Sequence, residues 1–224
     1  MAERIFLLTR DFAAASRLQN QLNYKSVIFP LSKTEKLTVS LADLNDYDAI
    51  IMTSQNALQI KDLDFWQNIN RKQKFYIVGD NFAAKLKAAA INNFAVFESV
   101  QVLAKKLVTK QRQKYLYLRG DKISYELRAI LGEQVTERIC YETNYFPIER
   151  NELFEFVTNN QVTDLLFISK FNAERFRGLL DDKLDYSKYR IYCFSERIAE
   201  LFADYAAQVI IPKKPTMLEL LKIL

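Results

Sequence analysis

The chain of 224 residues has no histidine, two cysteines, four glycines and one tryptophan. Without imidazole there is no Ser-His or Cys-His dyad and no imidazole metal site. No side chain has an ordinary pKa near neutrality. Acid–base work falls to tyrosine, lysine, carboxylates or water. Cys140 and Cys193 are too few and too far apart for a disulfide framework or a thiolate metal centre. The scarce glycines form neither G-x-G-x-x-G nor G-x-x-x-x-G-K-[ST], which argues against a classical dinucleotide or triphosphate fold. No run approaches the roughly 20 apolar residues of a membrane span. The opening Met1-Ala2-Glu3-Arg4 carries no apolar segment behind a basic one, so a soluble, cytoplasmic protein is expected.

Half the residues are apolar, enough for two modest cores in a chain of this length. The net charge of +5 suits solubility and an anionic partner. Its basic groups, Arg71 to Lys74, Lys105-Lys106 and Lys110 to Lys114, have no interleaved aromatic platform. They read as solvated surface rather than a nucleic-acid site.

Two motifs recur at a constant offset of 116 residues. Asp48 to Ala57 lines up with Asp164 to Ala173, and Tyr76 to Ala83 with Tyr192 to Ala199. Each is an apolar run that ends in small polar residues and then opens a helical pattern. Open α/β sheets bind ligands at such strand-end-to-helix-start junctions. Two copies suggest two related domains facing one cleft.

Strand and helix patterns alternate along the whole chain, which predicts parallel sheets. Arg4 to Arg10 reads as a buried strand; Asp11 then caps a helix whose apolar face is Phe12, Ala15, Leu18 and Leu22. Ser40 is expected to open a short helix, and another is expected near Ser124 to Leu131. Val135 to Tyr145 differs, because Val135, Ile139, Tyr141 and Tyr145 follow a period of two and share a face. At the end, Thr216 and Glu219 have capping-box spacing before a helix with Leu218, Leu221 and Leu224 on its apolar face. Gly79 and Gly120 close predicted strands, where a glycine permits a tight turn or close ligand approach. Thr53-Ser54 and Ser169-Lys170 stand at corresponding strand ends, suited to capping or to carboxylate binding.

With these residues assembled, the chain resembles the uroporphyrinogen-III synthase family over nearly its whole length. The resemblance rests on Leu7 to Arg10, Asp48 to Ala57 and Tyr76 to Gly79 with Ala83. It continues through Tyr117 to Gly120, Ile139 to Thr143, Leu166 to Ser169 and Pro215-Thr216. It implies an α/β protein of two doubly wound parallel-sheet lobes joined by a two-stranded antiparallel linker. One lobe would be 1–33 plus 141–224 and the other 34–140, not two halves cut at the midpoint. Val27 to Lys33 would pair with Val135 to Tyr145 as the linker.

The resemblance also implies a reaction: hydroxymethylbilane loses water and closes to uroporphyrinogen III with its last pyrrole inverted. It implies a lyase of tetrapyrrole biosynthesis, a small polycarboxylate substrate, no cofactor, no metal, no nucleic-acid or membrane partner, and a monomer. Tyr141 matches the family's linker tyrosine and would donate a proton to the departing hydroxyl. Thr53, Ser54, Gln55, Gly79, Asp80, Asn81, Arg119, Ser169, Lys170, Ser195 and Arg197 would bind substrate, partly through backbone amides. The chain departs from the family pattern at Phe82 and Ile198, where threonine is frequent, and at Ser195, where glycine is usual. A non-catalytic bilobal protein that binds an anionic small molecule would share all of these features except turnover.

Overall fold

The computed structural model describes residues 3–110, 112–123, 125–205 and 208–224. In chain order the elements are β1 (Ile5–Leu8), α1 (Phe12–Gln19), β2 (Lys25–Ile28), β3 (Ser32–Lys36), β4 (Ala49–Met52), α2 (Leu63–Asn70), β5 (Lys74–Val78), α3 (Asp80–Ala88), β6 (Phe94–Phe97) and α4 (Val100–Leu107). They continue with β7 (Tyr115–Gly120), α5 (Leu127–Leu131), β8 (Val135–Tyr145), α6 (Arg150–Asn159), β9 (Asp164–Phe167), α7 (Lys170–Leu180), β10 (Arg190–Cys193), α8 (Glu196–Ala199), β11 (Gln208–Ile210) and α9 (Met217–Ile223). Short 3-10 turns separate several of them. The chain divides into two compact units, Met1–Lys33 with Asn144–Leu224, and Thr34–Thr143.

The first unit holds a parallel sheet in the order β11-β10-β9-β1-β2. Its central strands β1, β9 and β10 are short, mostly apolar runs buried on both faces, as inner parallel strands require, while the edge strands β2 and β11 are only partly buried. Leu7, Leu165, Phe167, Ile191 and Cys193 face one core, with Phe176 and Phe202 of the covering helices. Phe6, Leu8, Leu166 and Tyr192 face the other, with Ala15, Leu18 and Leu220. At the amino end of β9 the carboxylate of Asp164 is fully buried. It accepts from Arg4 at 2.9 Å and from Arg190 at 2.7 Å.

In the second unit the sheet order is β3-β8-β7-β4-β5-β6. Strands β4 to β8 pair in parallel. Ile50, Met52, Phe75, Ile77, Leu116 and Leu118 build one core around Trp66. Ile51, Tyr76, Tyr115 and Tyr117 build the other. Both sheets reverse strand order at the same place. Taking β4, β5, β6, β7 and β8 as first to fifth, the spatial order is 3-2-1-4-5; β9, β10, β11, β1 and β2 give the same order. The 116-residue repeat is the part of this shared plan that keeps its chain order, with β4-β5 recurring as β9-β10. The last two strands of the plan come first in the chain for one unit and last for the other.

Several local expectations change. Val27 belongs to β2, which pairs with β1, so the segment expected to pair with β8 starts later, at Ser32. Leu31 O accepts from Phe146 N, the hydroxyls of Thr34 and Thr143 lie 3.4 Å apart, and Cys140 O accepts from Leu37 N. Partner numbers fall as the chain number rises, which is an antiparallel register. The divisions between units come after Lys33 and after Thr143, beside the expected 33 and 140. Phe12 is 68% exposed; α1 instead buries Ala14, Ala15 and Leu18. Leu218 is likewise exposed, and α9 turns Leu220 inward. Ser40 opens no helix, and a single 3-10 turn at Leu44–Asp46 follows. Helix α5 begins at Leu127, and Ser124 lies outside the described residues. The caps are as expected: Asp11 accepts from Ala14 N and Thr216 from Glu219 N.

Candidate active site

In an open α/β sheet, the crevice beyond the carboxyl ends of the strands is widest where strand order reverses. In the second unit this switch point lies between β4 and β7. Strand β4 runs out into Thr53, Ser54 and Gln55, and β7 ends at Arg119 and Gly120. A bulge in β8 then brings Tyr141 to the same place. Arg119 pairs with Ile139 and Gly120 with Tyr141, which leaves Cys140 as the extra residue. One inserted residue inverts the strand's alternation. Ile139 is therefore 42% exposed, while Cys140 and Tyr141 both pack against the Trp66 core. The expectation that Ile139, Tyr141 and Tyr145 share a face is corrected by this bulge.

The Tyr141 ring lies on Gly120. A Cβ at position 120 would sit 2.4 Å from its Cε2 and 2.7 Å from its Cζ. Only a residue without a side chain fits there. The Ser54 side chain and the Gly120 main chain lie beside the phenol and favour its ionised form. Burial pushes its pKa above the ordinary phenol value, against the opposing pull of those two neighbours. The group is thus a neutral O–H at neutral pH.

Thr53 points to the other face of the sheet, where its hydroxyl is 2.8 Å from the Tyr117 hydroxyl. Tyr117 is buried, and burial pushes its pKa up to about 12. Ser54 accepts from Asn56 N and starts the 3-10 turn that includes Gln55. Arg119 does not present a free charge. Its Nε donates to Glu137 at 3.1 Å and its Nη1 to Gly120 O at 2.9 Å, in a pair mostly shielded from water. Gly79 ends β5 at φ +90°, a backbone region that L side chains rarely adopt, with open space around its Cα. It caps α3 without a side chain, so the first amides of that helix have no side-chain acceptor, and Asp80 and Asn81 are exposed there. Phe82 is buried in the core, so this turn offers backbone and no hydroxyl.

In the first unit, the expected residues sit at the carboxyl ends of β9 and β10, which are paired neighbours. Ser169 caps α7 by accepting from Asn172 N at 3.4 Å. Lys170 is exposed and ion-paired to Glu174 at 3.6 Å. Ser195 precedes α8 but its side chain does not cap it; Arg197 is exposed and engaged with a partner, and Ile198 is buried. Asn172 is a residue that sequence reading missed. It is buried and accepts from Ser32 Oγ at 2.7 Å while donating to Thr9 O at 2.8 Å, so it fastens the ends of β1 and β3 to α7. Among the described residues, the side chain of its repeat partner Asn56 makes no such bond and accepts from Gln59 at 3.2 Å. The repeat therefore gave no hint of this role.

Both thiols are raised to about 12 by burial, so neither is a thiolate at neutral pH. Among the described residues, no three His, Cys, Asp or Glu side chains gather as a metal site. No helix among them is long and apolar enough to cross a membrane.

The family model described as uroporphyrinogen-III synthase HemD matches residues 13–222. The fold is similar to that of uroporphyrinogen-III synthetase from Helicobacter pylori, with a TM-score of 0.66 and 20% identity over 99% of this chain and 98% of that one. It is also similar to a mutant uroporphyrinogen III synthase from Thermus thermophilus, with a TM-score of 0.57 and 18% identity over 99% and 96%. A search of curated proteins gives no significant match. The family match spans nearly the whole chain and agrees with the residues gathered at the switch points: the chain belongs to the uroporphyrinogen-III synthase family.

Proposed function

We propose that this enzyme is a cyclising hydro-lyase that converts hydroxymethylbilane to uroporphyrinogen III, as a cytoplasmic monomer. The observation that carries the site assignment is the neutral Tyr141 phenol, seated on Gly120 at a sheet switch point beside Ser54. Tyr141 donates its proton to the terminal hydroxyl of the substrate. The C–O bond breaks, water leaves, and the adjoining pyrrole becomes an azafulvene electrophile. The last pyrrole attacks through its substituted α-carbon to give a spiro intermediate. That intermediate fragments and recloses through the unsubstituted α-carbon. The hydrogen lost there as a proton balances the one given by the phenol.

Spontaneous closure gives the uninverted isomer, so the protein's task is largely to orient the chain. Gly79 with the first amides of α3, and Ser169 with the start of α7, are suited to carboxylates because helix N-termini attract anions. Phe82 and Ile198 are core residues, so binding there relies on the main chain. The deciding experiment generates hydroxymethylbilane in place and measures the ratio of uroporphyrin isomers after oxidation. The inverted isomer is expected in excess. Formation of only the uninverted isomer, at the spontaneous rate with folded protein present, refutes the proposal. Tight retention of the tetrapyrrole without turnover would mark a binding protein instead.

A further inference from the structure

The switch point of the first unit lies between β9 and β1. β1 runs out there into Thr9 and Arg10. The backbone at this spot is tied down on both sides. Leu8 O accepts from Phe29 N at 3.0 Å. Thr9 O accepts from both Leu31 N, at 3.0 Å, and the buried Asn172 side chain, at 2.8 Å. Asn172 belongs to the first turn of α7, beside Ser169 and Lys170. Arg10 is therefore mounted on a rigid frame next to residues expected to bind substrate.

Its side chain is half-buried, yet among the described residues the guanidinium has no hydrogen-bond or ion-pair partner. The neighbouring carboxylate of Asp11 is committed to Ala14 N as the cap of α1. The other arginines near strand ends differ: Arg4 and Arg190 share Asp164, and Arg119 has Glu137. Burial holds the Arg10 pKa below its ordinary value, with partial relief from Asp11 and a further push from Arg17. A desolvated cation without a partner costs stability in the empty protein. Such a cost persists in a fold when a ligand relieves it.

We propose that Arg10 is the substrate-binding guanidinium of the first unit, taking one carboxylate of the tetrapyrrole; this rests on the synthase reading above. The geometry suits the ligand, because a guanidinium offers a planar fork to a carboxylate. Lys170, by contrast, already has Glu174 as a partner.

The test is equilibrium dialysis of the full chain against uroporphyrinogen III under anaerobic, reducing conditions, with ligand-free melting curves alongside. Arg10→Gln should weaken binding about 10- to 100-fold, the range of one charge-assisted hydrogen bond. Its ligand-free melting temperature should be unchanged or higher, because no internal partner is lost. Arg10→Lys should fall between the two in affinity. Wild-type affinity in Arg10→Gln overturns the proposal. So does a lowered ligand-free melting temperature with affinity retained, which assigns Arg10 to structure. The isomer assay on the wild type separates the two readings. If wild type makes the inverted isomer while Arg10→Gln binds normally, only the Arg10 assignment fails. If wild type neither binds the product nor inverts the ring, the synthase reading fails and takes this one with it.

Discussion

Replacing Gly120 with alanine should disable the enzyme by moving Tyr141 without touching its chemistry. Gly120 does not have a positive φ, so alanine suffers no backbone strain there. The whole effect is steric. The new Cβ would stand 2.4 Å from Cε2 of the ring, while ordinary carbon contacts begin near 3.4 Å, so the ring must retreat by about 1 Å. It cannot go far, since Tyr141 packs against the Trp66 core. Overpacking of this kind costs about 1–3 kcal/mol of stability. A displacement of about 1 Å at a reacting group can cost about 100-fold in rate. The coupled isomer assay would supply the turnover number, and thermal melting the stability.

Three further variants sharpen the outcome. Tyr141→Phe removes the donor and keeps the ring, so it should lose about 10²- to 10⁴-fold in turnover with little loss of stability. Any residual product should still be the inverted isomer. Adding Gly120→Ala to Tyr141→Phe should then cost little further activity, because the group being displaced no longer donates. Tyr141→Ala in the Gly120→Ala background should recover part of the lost melting temperature. Wild-type turnover in Gly120→Ala, or a full additional loss in the Tyr141→Phe background, would refute the argument that Gly120 acts through Tyr141.

Two other predictions concern charge. Asp164 is desolvated, which opposes its ionisation, but hydrogen bonds from Arg190, Thr163 and Arg4 win and hold its pKa below the ordinary carboxylate value. A depressed folded pKa contributes stability that is complete above the unfolded value near 3.9 and is lost as pH falls through the folded pKa. Urea melts of wild type and Asp164→Asn should thus differ at pH 7 and converge in strong acid; a constant gap would contradict the linkage. Arg119→Gln strands the shielded Glu137 carboxylate, one of whose oxygens already has no partner, and should destabilise by about 3 kcal/mol. Adding Glu137→Gln should restore part of that loss. If Arg119→Gln instead melts like wild type and only raises KM, Arg119 is a substrate ligand rather than a structural one.

Local features were legible in the sequence, and features that depend on distant partners were not. The caps at Asp11, Ser169 and Thr216 could be read because donor and acceptor lie three residues apart. The strand ends at Thr53, Gly79 and Ser169 could be read because apolar runs stop there. The seat of Tyr141 could not be read, because it requires a bulge at Cys140 and a parallel partner 21 residues earlier in the chain. Thr53 looked like a free hydroxyl until Tyr117, 64 residues away, was placed beside it. Arg119 looked available to substrate for the same reason, with Glu137 18 residues away, whereas the Lys170 partner Glu174 is only four residues on and could have been read from helical spacing. Periodicity placed Phe12 and Leu218 on apolar faces, but the structure leaves both exposed near the start of their helices. Repeat logic failed where equivalent residues took different work: Asp48 accepts from Lys114 N, whereas Asp164 anchors two arginines.

The permuted strand order dictates who can fold first. The first unit needs β1 and β2 beside β9, yet the whole of Thr34–Thr143 intervenes. If that segment were a random coil, closing it would cost on the order of 4 kcal/mol in chain entropy before β1 met β9. Once the second unit has formed, Thr34 and Thr143 are already neighbours, with their hydroxyls 3.4 Å apart, and the long loop shrinks to a short one. The second unit can mature during synthesis while the opening β1-α1-β2 segment waits, unpaired with β9, for the ribosome to deliver its partner. A lesion in the second unit therefore weakens both units, whereas a lesion in β9 or β10 leaves the second with its own complete sheet.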